Sequence, residues 1–221
     1  WSAGLDPALH TQIAPAIYHG TLATAERMSW ELPLHNGQCP AAAISRRLGL
    51  PLSSLLPALT ALAVMQARLI PEQSSLNLVL EHHGRTPNAP NQDLSRTVGW
   101  FAREHLLPLP MLDTSSEGAE SLSQLLRQWC SEIDSTKNKS GLAESSTTSE
   151  WQLGFNFLGD IGTSGKPTCW TPQPRMDVLV ESCGDHWPLL HDLDVSAYYF
   201  YRDDYRVLQF DAMGPAATIN S

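Results

Sequence analysis

The side chains best placed for chemistry lie at the end of an apolar run. Leu78-Val79-Leu80 leads into Glu81-His82-His83-Gly84-Arg85, which gathers a carboxyl group, two imidazoles and a guanidinium. Carboxyl and imidazole groups move protons, and a short buried strand that delivers titratable groups at its C-terminal end is a common way to build a site. Two dense patches follow, Ser95-Arg96-Thr97-Val98-Gly99-Trp100-Phe101 and Phe155-Asn156-Phe157-Leu158-Gly159-Asp160. On residue types alone Glu81 has two readings, a site carboxyl or the partner of an ion pair with Arg85 or Arg96. Asp192, Asp194, Asp203 and Asp204 raise the question of a metal. Two-residue alternation puts Asp192 and Asp194 on one outward strand face, so they read as solvated carboxylates, and no metal is expected. Neither a serine nucleophile elbow nor a P-loop is present.

These groups need a folded frame, and the composition supports one. The 221 residues are 42% apolar, enough for a real core in one large or two small domains. The formal charge of −9, with no Lys/Arg run, disfavours nucleic acid as a partner. No stretch approaches the ~20 continuous apolar residues of a transmembrane helix, so no membrane span is expected. No basic start followed by an apolar block marks a signal peptide, and the expected location is cytoplasmic. The chain opens at Trp1 without a methionine, which fits a piece of something longer. Cys39, Cys130, Cys169 and Cys183 form no Cys-x-x-Cys pair; a Cys169–Cys183 disulfide is conceivable but not favoured.

The elements that must position the site can be read in order. Residues 1–27 fit a loose amphipathic helix after Asp6-Pro7, and Met28–Leu34 a strand. The Ala-rich run from Cys39 to Leu48 reads as a helix closed by Gly49. A second helix, apolar on nearly all faces, runs from Pro51 to about Ala67, with Pro57 either delaying its start or kinking it. Leu76–Leu80 is a central strand ending at Glu81, residues 85–92 a loop, and Leu106–Pro110 extended. Leu122, Leu125, Leu126, Trp129 and Ile133 recur at helical spacing over 119–133, and 135–150 reads as an exposed loop. Strands are expected over Trp151–Phe157, Met176–Glu181, His191–Phe200 and Arg206–Ala212, the last two as an antiparallel hairpin, with 159–166 turn-like. Trp100, Phe101, Trp129 and Trp151 read as core or cleft wall. The fold class is α/β, a layered mixed sheet with helices.

Together the three patches point to a family. Leu80-Glu81-His82-His83-Gly84-Arg85 resembles the Glu-Gly-His-Gly-Arg motif of epimerization domains of nonribosomal peptide synthetases. Arg96-Thr97-Val98-Gly99-Trp100-Phe101 matches their Arg-Thr-Val-Gly-Trp-Phe motif, and Phe155-Asn156-Phe157-Leu158-Gly159 resembles Phe-Asn-Tyr-Leu-Gly. The helix Leu55-Leu56-Pro57-Ala58-Leu59 sits where the family has Leu-Leu-x-Ala-Leu. The sister condensation domains differ at the second patch. The resemblance covers roughly Trp30 to the C-terminus and implies a chloramphenicol-acetyltransferase-like C-terminal lobe of a two-lobed domain in the condensation-domain superfamily. The division it implies is 1–29 as a connecting segment, 30–213 as the lobe and 214–221 as a flexible tail. The partner lobe would carry His-His-x-x-x-Asp-Gly, which this chain lacks. Two departures stand out: Lys139-Ser140-Gly141-Leu142 replaces a stretch ending in Tyr-Gly, and Phe157 replaces the family Tyr.

The resemblance implies inversion of the α carbon of an aminoacyl or peptidyl thioester. The substrate would ride on the phosphopantetheine of a peptidyl carrier protein, with no cofactor bound by the chain itself. Glu81 maps onto the catalytic carboxyl, and His83 would orient the loop or Glu81. Arg85 and Arg96 would hold the phosphopantetheine arm or support loops, Trp100 would line the cleft, and Asn156 would position the thioester or hold a turn. His82, replacing a family Gly, would narrow the cleft or point to solvent. The chain alone is expected to be inactive. The alternatives are a degenerate, non-catalytic platform that binds a carrier or partner protein, and a condensation domain that forms peptide bonds.

Overall fold

The computed structural model describes residues 20–34, 40–67, 70, 76–82, 96, 98, 103–110, 119–136, 151–161, 188–202 and 205–219. Its frame is a six-stranded mixed sheet in the order β1-β6-β5-β4-β2-β3. The strands are β1 (Ala25–Pro33), β2 (Leu76–His82), β3 (Arg103–Leu109), β4 (Trp151–Asp160), β5 (Leu193–Arg202) and β6 (Tyr205–Pro215). β4 runs parallel to both neighbours, β2 and β5, and the other pairings are antiparallel. The α/β expectation holds, and β2 is an interior strand, as its uninterrupted apolar run requires.

Strand alternation gives the sheet two unlike faces. Leu76, Leu78 and Leu80 of β2, Leu153 and Phe155 of β4, Val195 and Ala197 of β5 and Leu208 and Phe210 of β6 point to one side. There they pack under the helices α1 (Pro40–Leu48), α2 (Leu52–Gln66) and α3 (Ala119–Thr136). Trp129 of α3 is fully buried and Trp151 of β4 nearly so, which makes both core residues. The other face carries Glu81, Glu104, Asn156, Asp194, Ser196 and Asp211, the intervening residues of the same strands, and forms a cleft wall.

Local chemistry explains the helix limits. α1 ends in Arg46 and Arg47, whose charge suits a helix C-terminus, and Gly49 beyond it takes φ 67°, a left-handed conformation that favours glycine. Arg127 of α3 donates to the Leu48 carbonyl at 2.7 Å, joining α3 to the end of α1. α2 begins at Leu52 and contains Pro57, so the proline does not delay its start. The carbonyl that faces the missing N–H of Pro57 is that of Ser53, in the first turn, where the cost is small. α3 is tied to α2 by the Ser54 hydroxyl donating to Asp134 at 2.5 Å. Among the described residues no single helix is long and apolar enough to cross a membrane; α1 and α2 pass such a test only as a pair bent by 112°, and α2 is largely buried in this core.

Several boundaries differ from the sequence reading. β1 begins at Ala25, so 25–29 belongs to the sheet rather than to a connecting segment, and Leu22–Thr24 is a single 3-10 turn. β3 tolerates Pro108 because it is an edge strand. α3 runs on to Thr136. Gly159 and Asp160 belong to β4, where a register shift between Phe157 and Gly159, with Gly159 at φ 75°, makes a bulge rather than an end. In place of a flexible tail, Gly214 and Pro215 complete β6, and α4 (Ala216–Ile219) packs against β1 and β6. The expectations for 1–19, 85–92, 137–150 and 176–181, and the Cys169–Cys183 pairing, lie outside the described residues. Cys130 is buried and in no disulfide.

Candidate active site

The polar sheet face forms a cleft of about 610 Å³. Glu81 stands at the C-terminal end of β2. Pairing of Leu80 with Phe155 places it beside Asn156 of β4, and pairing of Glu81 with Glu104 places a second carboxyl group on its other side. Asn156 Nδ2 donates to Glu81 Oε2 at 3.0 Å. Asn156 therefore holds the Glu81 carboxyl. Glu81 stays open to solvent at the strand end, yet its pKa is raised above the usual carboxyl value. Partial burial in the cleft wall is the largest cause, followed by the charges of Glu104 and then Asp194.

Beyond β4 lies a second cluster. His191 Nδ1 and Asp194 Oδ1 are 2.6 Å apart, and the ring is buried. Gly154, paired with Asp194 across β4 and β5, makes this possible: a Cβ there would stand 2.2 Å from Asp194 Oδ1 and 2.6 Å from His191 Nδ1. The turn is clamped by reciprocal bonds. The Asp192 amide donates to the Gln152 carbonyl at 3.1 Å, and the Gln152 amide donates to Asp192 Oδ2 at 2.7 Å. Asp192 and Asp194 are thus half-buried acceptors, not the solvated outward carboxylates expected; Asp192 precedes β5, and the missing Gly154 side chain lets Asp194 turn in. Among the described residues no group of three or more His, Cys, Asp or Glu could hold a metal ion.

Burial pulls the His191 pKa down, but the Asp194 bond and the charges of Asp194, Glu104 and Asp192 outweigh it and leave it raised above 6.5. Such a group stabilises the fold fully below its unfolded value and loses that contribution as pH rises through its folded value. The denaturation midpoint of the chain is therefore expected to fall as pH rises from about 6.5, and the His191→Gln variant to lack that component. Parallel pH profiles for the two proteins would contradict the assignment.

Other expected site residues are placed less centrally. Arg96 is exposed in a turn and is not among the described residues lining the cleft. Among those residues it makes no ion pair with Glu81. His83, Arg85 and Trp100 lie outside the described residues. His82 takes neither expected direction. It points to the helix side, where the Thr136 hydroxyl donates to the Ile133 carbonyl and so accepts from His82 Nε2 at 3.0 Å. Phe157 also faces that side, with its ring edge-on to Tyr199. Glu104, His191 and Asp194 were not singled out as site residues from sequence. The signal for the last two was a histidine three residues before an aspartate, with a glycine, Gly154, in the neighbouring strand.

This arrangement can be compared with known proteins. No family model and no curated protein matches the chain. Among solved structures, the epimerization domain from the third module of tyrocidine synthetase B is similar to it with a TM-score of 0.58 at 20% identity, over 96% of this chain and 50% of that one. This chain has the fold of an epimerization-domain lobe. The lobe spans about half the length of that domain, and at 20% identity the likeness is one of fold. The PapA2 acyl transferase (TM-score 0.49, 13% identity, 91% of this chain and 43% of that one) and the first condensation domain of the CDA synthetase (0.48, 14%, 94% and 42%) are more distant.

Proposed function

We propose that this lobe forms one wall of the active cleft of a nonribosomal peptide synthetase epimerization domain, with Glu81 as its proton carrier. The observation that carries the reading is the Glu81 carboxyl, raised in pKa and held by Asn156, facing an open cleft. An α proton beside a thioester is weakly acidic, so removing it needs a base within hydrogen-bond reach whose pKa lies near working pH. Glu81 takes that proton, leaving an enolate, and the α carbon regains a proton on its opposite face. That second donor belongs to the partner lobe of the same domain. Asn156 occupies Oε2 and leaves Oε1 for the transfer.

A peptidyl carrier protein presents the substrate on its phosphopantetheine arm. Leu158 and Leu190, each about half exposed on the cleft, give that arm apolar contact. Arg85 and Arg96 are the candidate phosphate contacts and His83 a support for the Glu81 loop. The Phe157 departure from the family Tyr falls on the side away from the cleft, which weakens the case for a degenerate platform.

The test uses the complete synthetase that contains this chain. An L-aminoacyl thioester on its carrier, in deuterated solvent, is expected to gain α deuterium together with a D-configured fraction. Peptide-bond formation without α exchange would replace this reading with a condensation domain, and neither reaction would replace it with a binding platform. The 221 residues alone are expected to catalyse no exchange, because the second proton donor lies on the other lobe; rapid exchange by the chain alone would contradict that division.

A further inference from the structure

We propose that His191 and Asp194 form a positioning pair for Glu81, fixing a carboxylate on the cleft wall across Gly154 so that the ionised Glu81 carboxylate is the stronger base towards a substrate proton. The functional meaning of the pair rests on the reading above, but its physical effect does not.

The geometry begins with β4. Glu81 and Asp194 lie on the two strands that flank it, on the same face, each ~4.8 Å from β4 in the hydrogen-bonding direction. Between them β4 presents only Asn156, whose amide is spent on Glu81, and Gly154, which has no side chain. Nothing bulky shields one carboxyl from the other. Asp194 is also held in place. His191 Nδ1 holds one oxygen, and the bonds between Asp192 and Gln152 fix the turn that carries the ring. A Cβ at 154 would meet both members of the pair, so this backbone position admits the arrangement only as glycine.

The groups facing Glu81 come from every neighbouring strand. They are Glu104 from β3, Asn156 from β4, His191 and Asp194 from the start of β5, and, further along the wall, Asp211 from β6. Like charges sharing one cleft wall resist ionising together. Asp194 and Glu104 both push Glu81 towards its protonated form. His191, bonded to Asp194, carries the opposite charge when protonated and then offsets part of the Asp194 effect. The pair thus sets how strongly Asp194 acts, and each member has a distinct sign. A pair that merely closed the turn would leave the Glu81 titration unchanged when either member was replaced.

The test is a carboxyl carbon-13 NMR titration of the full 221-residue chain labelled at glutamate, with the Glu81 signal assigned by its loss in Glu81→Gln. Asp194→Asn, nearly isosteric, is expected to move the Glu81 midpoint down by more than the titration error. Glu104→Gln is expected to do the same. His191→Gln is expected to move it up, because Asp194 then faces Glu81 without its partner. A Glu81 midpoint unmoved in folded Asp194→Asn would overturn the proposal. If Asp194→Asn does not fold, His191→Gln decides: an upward shift supports the pair and an unchanged midpoint overturns it. None of these readouts needs a turnover. A synthetase that keeps full epimerase activity as Glu81→Gln would sink the proposed function while leaving the titration result standing.

Discussion

Replacing Asp211 with alanine is expected to cost the fold about 3–5 kcal/mol. Asp211 is buried on β6 and accepts three hydrogen bonds from side chains. Ser29 Oγ of β1 donates to Oδ1 at 2.6 Å, Gln209 Nε2 donates to Oδ1 at 2.9 Å, and Tyr198 OH of β5 donates to Oδ2 at 2.5 Å. One carboxyl group thereby joins β1, β6 and β5, the three strands at one end of the sheet. Tyr198 stays a donor under all ordinary conditions. Burial first, then the Asp211 bond and the charges of Asp211 and Glu31, push its pKa well above the ordinary phenol range. Truncation leaves buried donors without an acceptor, and each loses the solvation it had in the unfolded chain. Asp211→Asn keeps one acceptor oxygen and is expected to recover part of the loss. Equilibrium denaturation of both variants measures this, and a loss for Asp211→Ala below about 1 kcal/mol would show that water replaces the carboxyl.

Much of this frame was legible from the chain. The uninterrupted Leu76–Leu80 run announced an interior strand, and the helical spacing of Leu126, Trp129 and Ile133 announced α3, because both patterns follow from burying one surface. The hairpin of β5 and β6 followed from two-residue alternation on either side of Arg202-Asp203-Asp204. Glu81 and Asn156 were each singled out, but that one holds the other depends on the parallel register of β2 and β4, which a separation of 75 in sequence conceals. Asp194 read as a solvated carboxylate, and His191 drew no role, for a related reason. Alternation assigns Asp194 to a face, but whether that face meets water is decided by Gly154 on a different strand. The start of α2 was obscured because a proline's effect depends on which carbonyl it faces, and here that one lies in the first turn. The strand character of Gly214 was hidden because its pairing partner, Glu26, lies at the other end of the chain.

The second large effect concerns Glu81 itself. Glutamine keeps the shape of the side chain, and Asn156 Nδ2 can still donate to its oxygen. What it loses is the proton. General acid–base groups typically contribute about 10²–10⁴-fold to a rate, so α-proton exchange by the complete synthetase carrying Glu81→Gln is expected to fall by about that factor. Binding of the loaded carrier should be nearly unchanged, since no charge-bearing contact to the arm is assigned to this residue. The loss therefore belongs in the rate of the bound complex rather than in its affinity. The decisive measurement is single-turnover deuterium incorporation at the α carbon of a carrier-bound L-aminoacyl thioester, wild type against Glu81→Gln at saturating carrier. A fall of about 10²–10⁴-fold is expected, with the product left in its starting configuration; exchange and inversion at the wild-type rate would contradict Glu81 as the proton carrier.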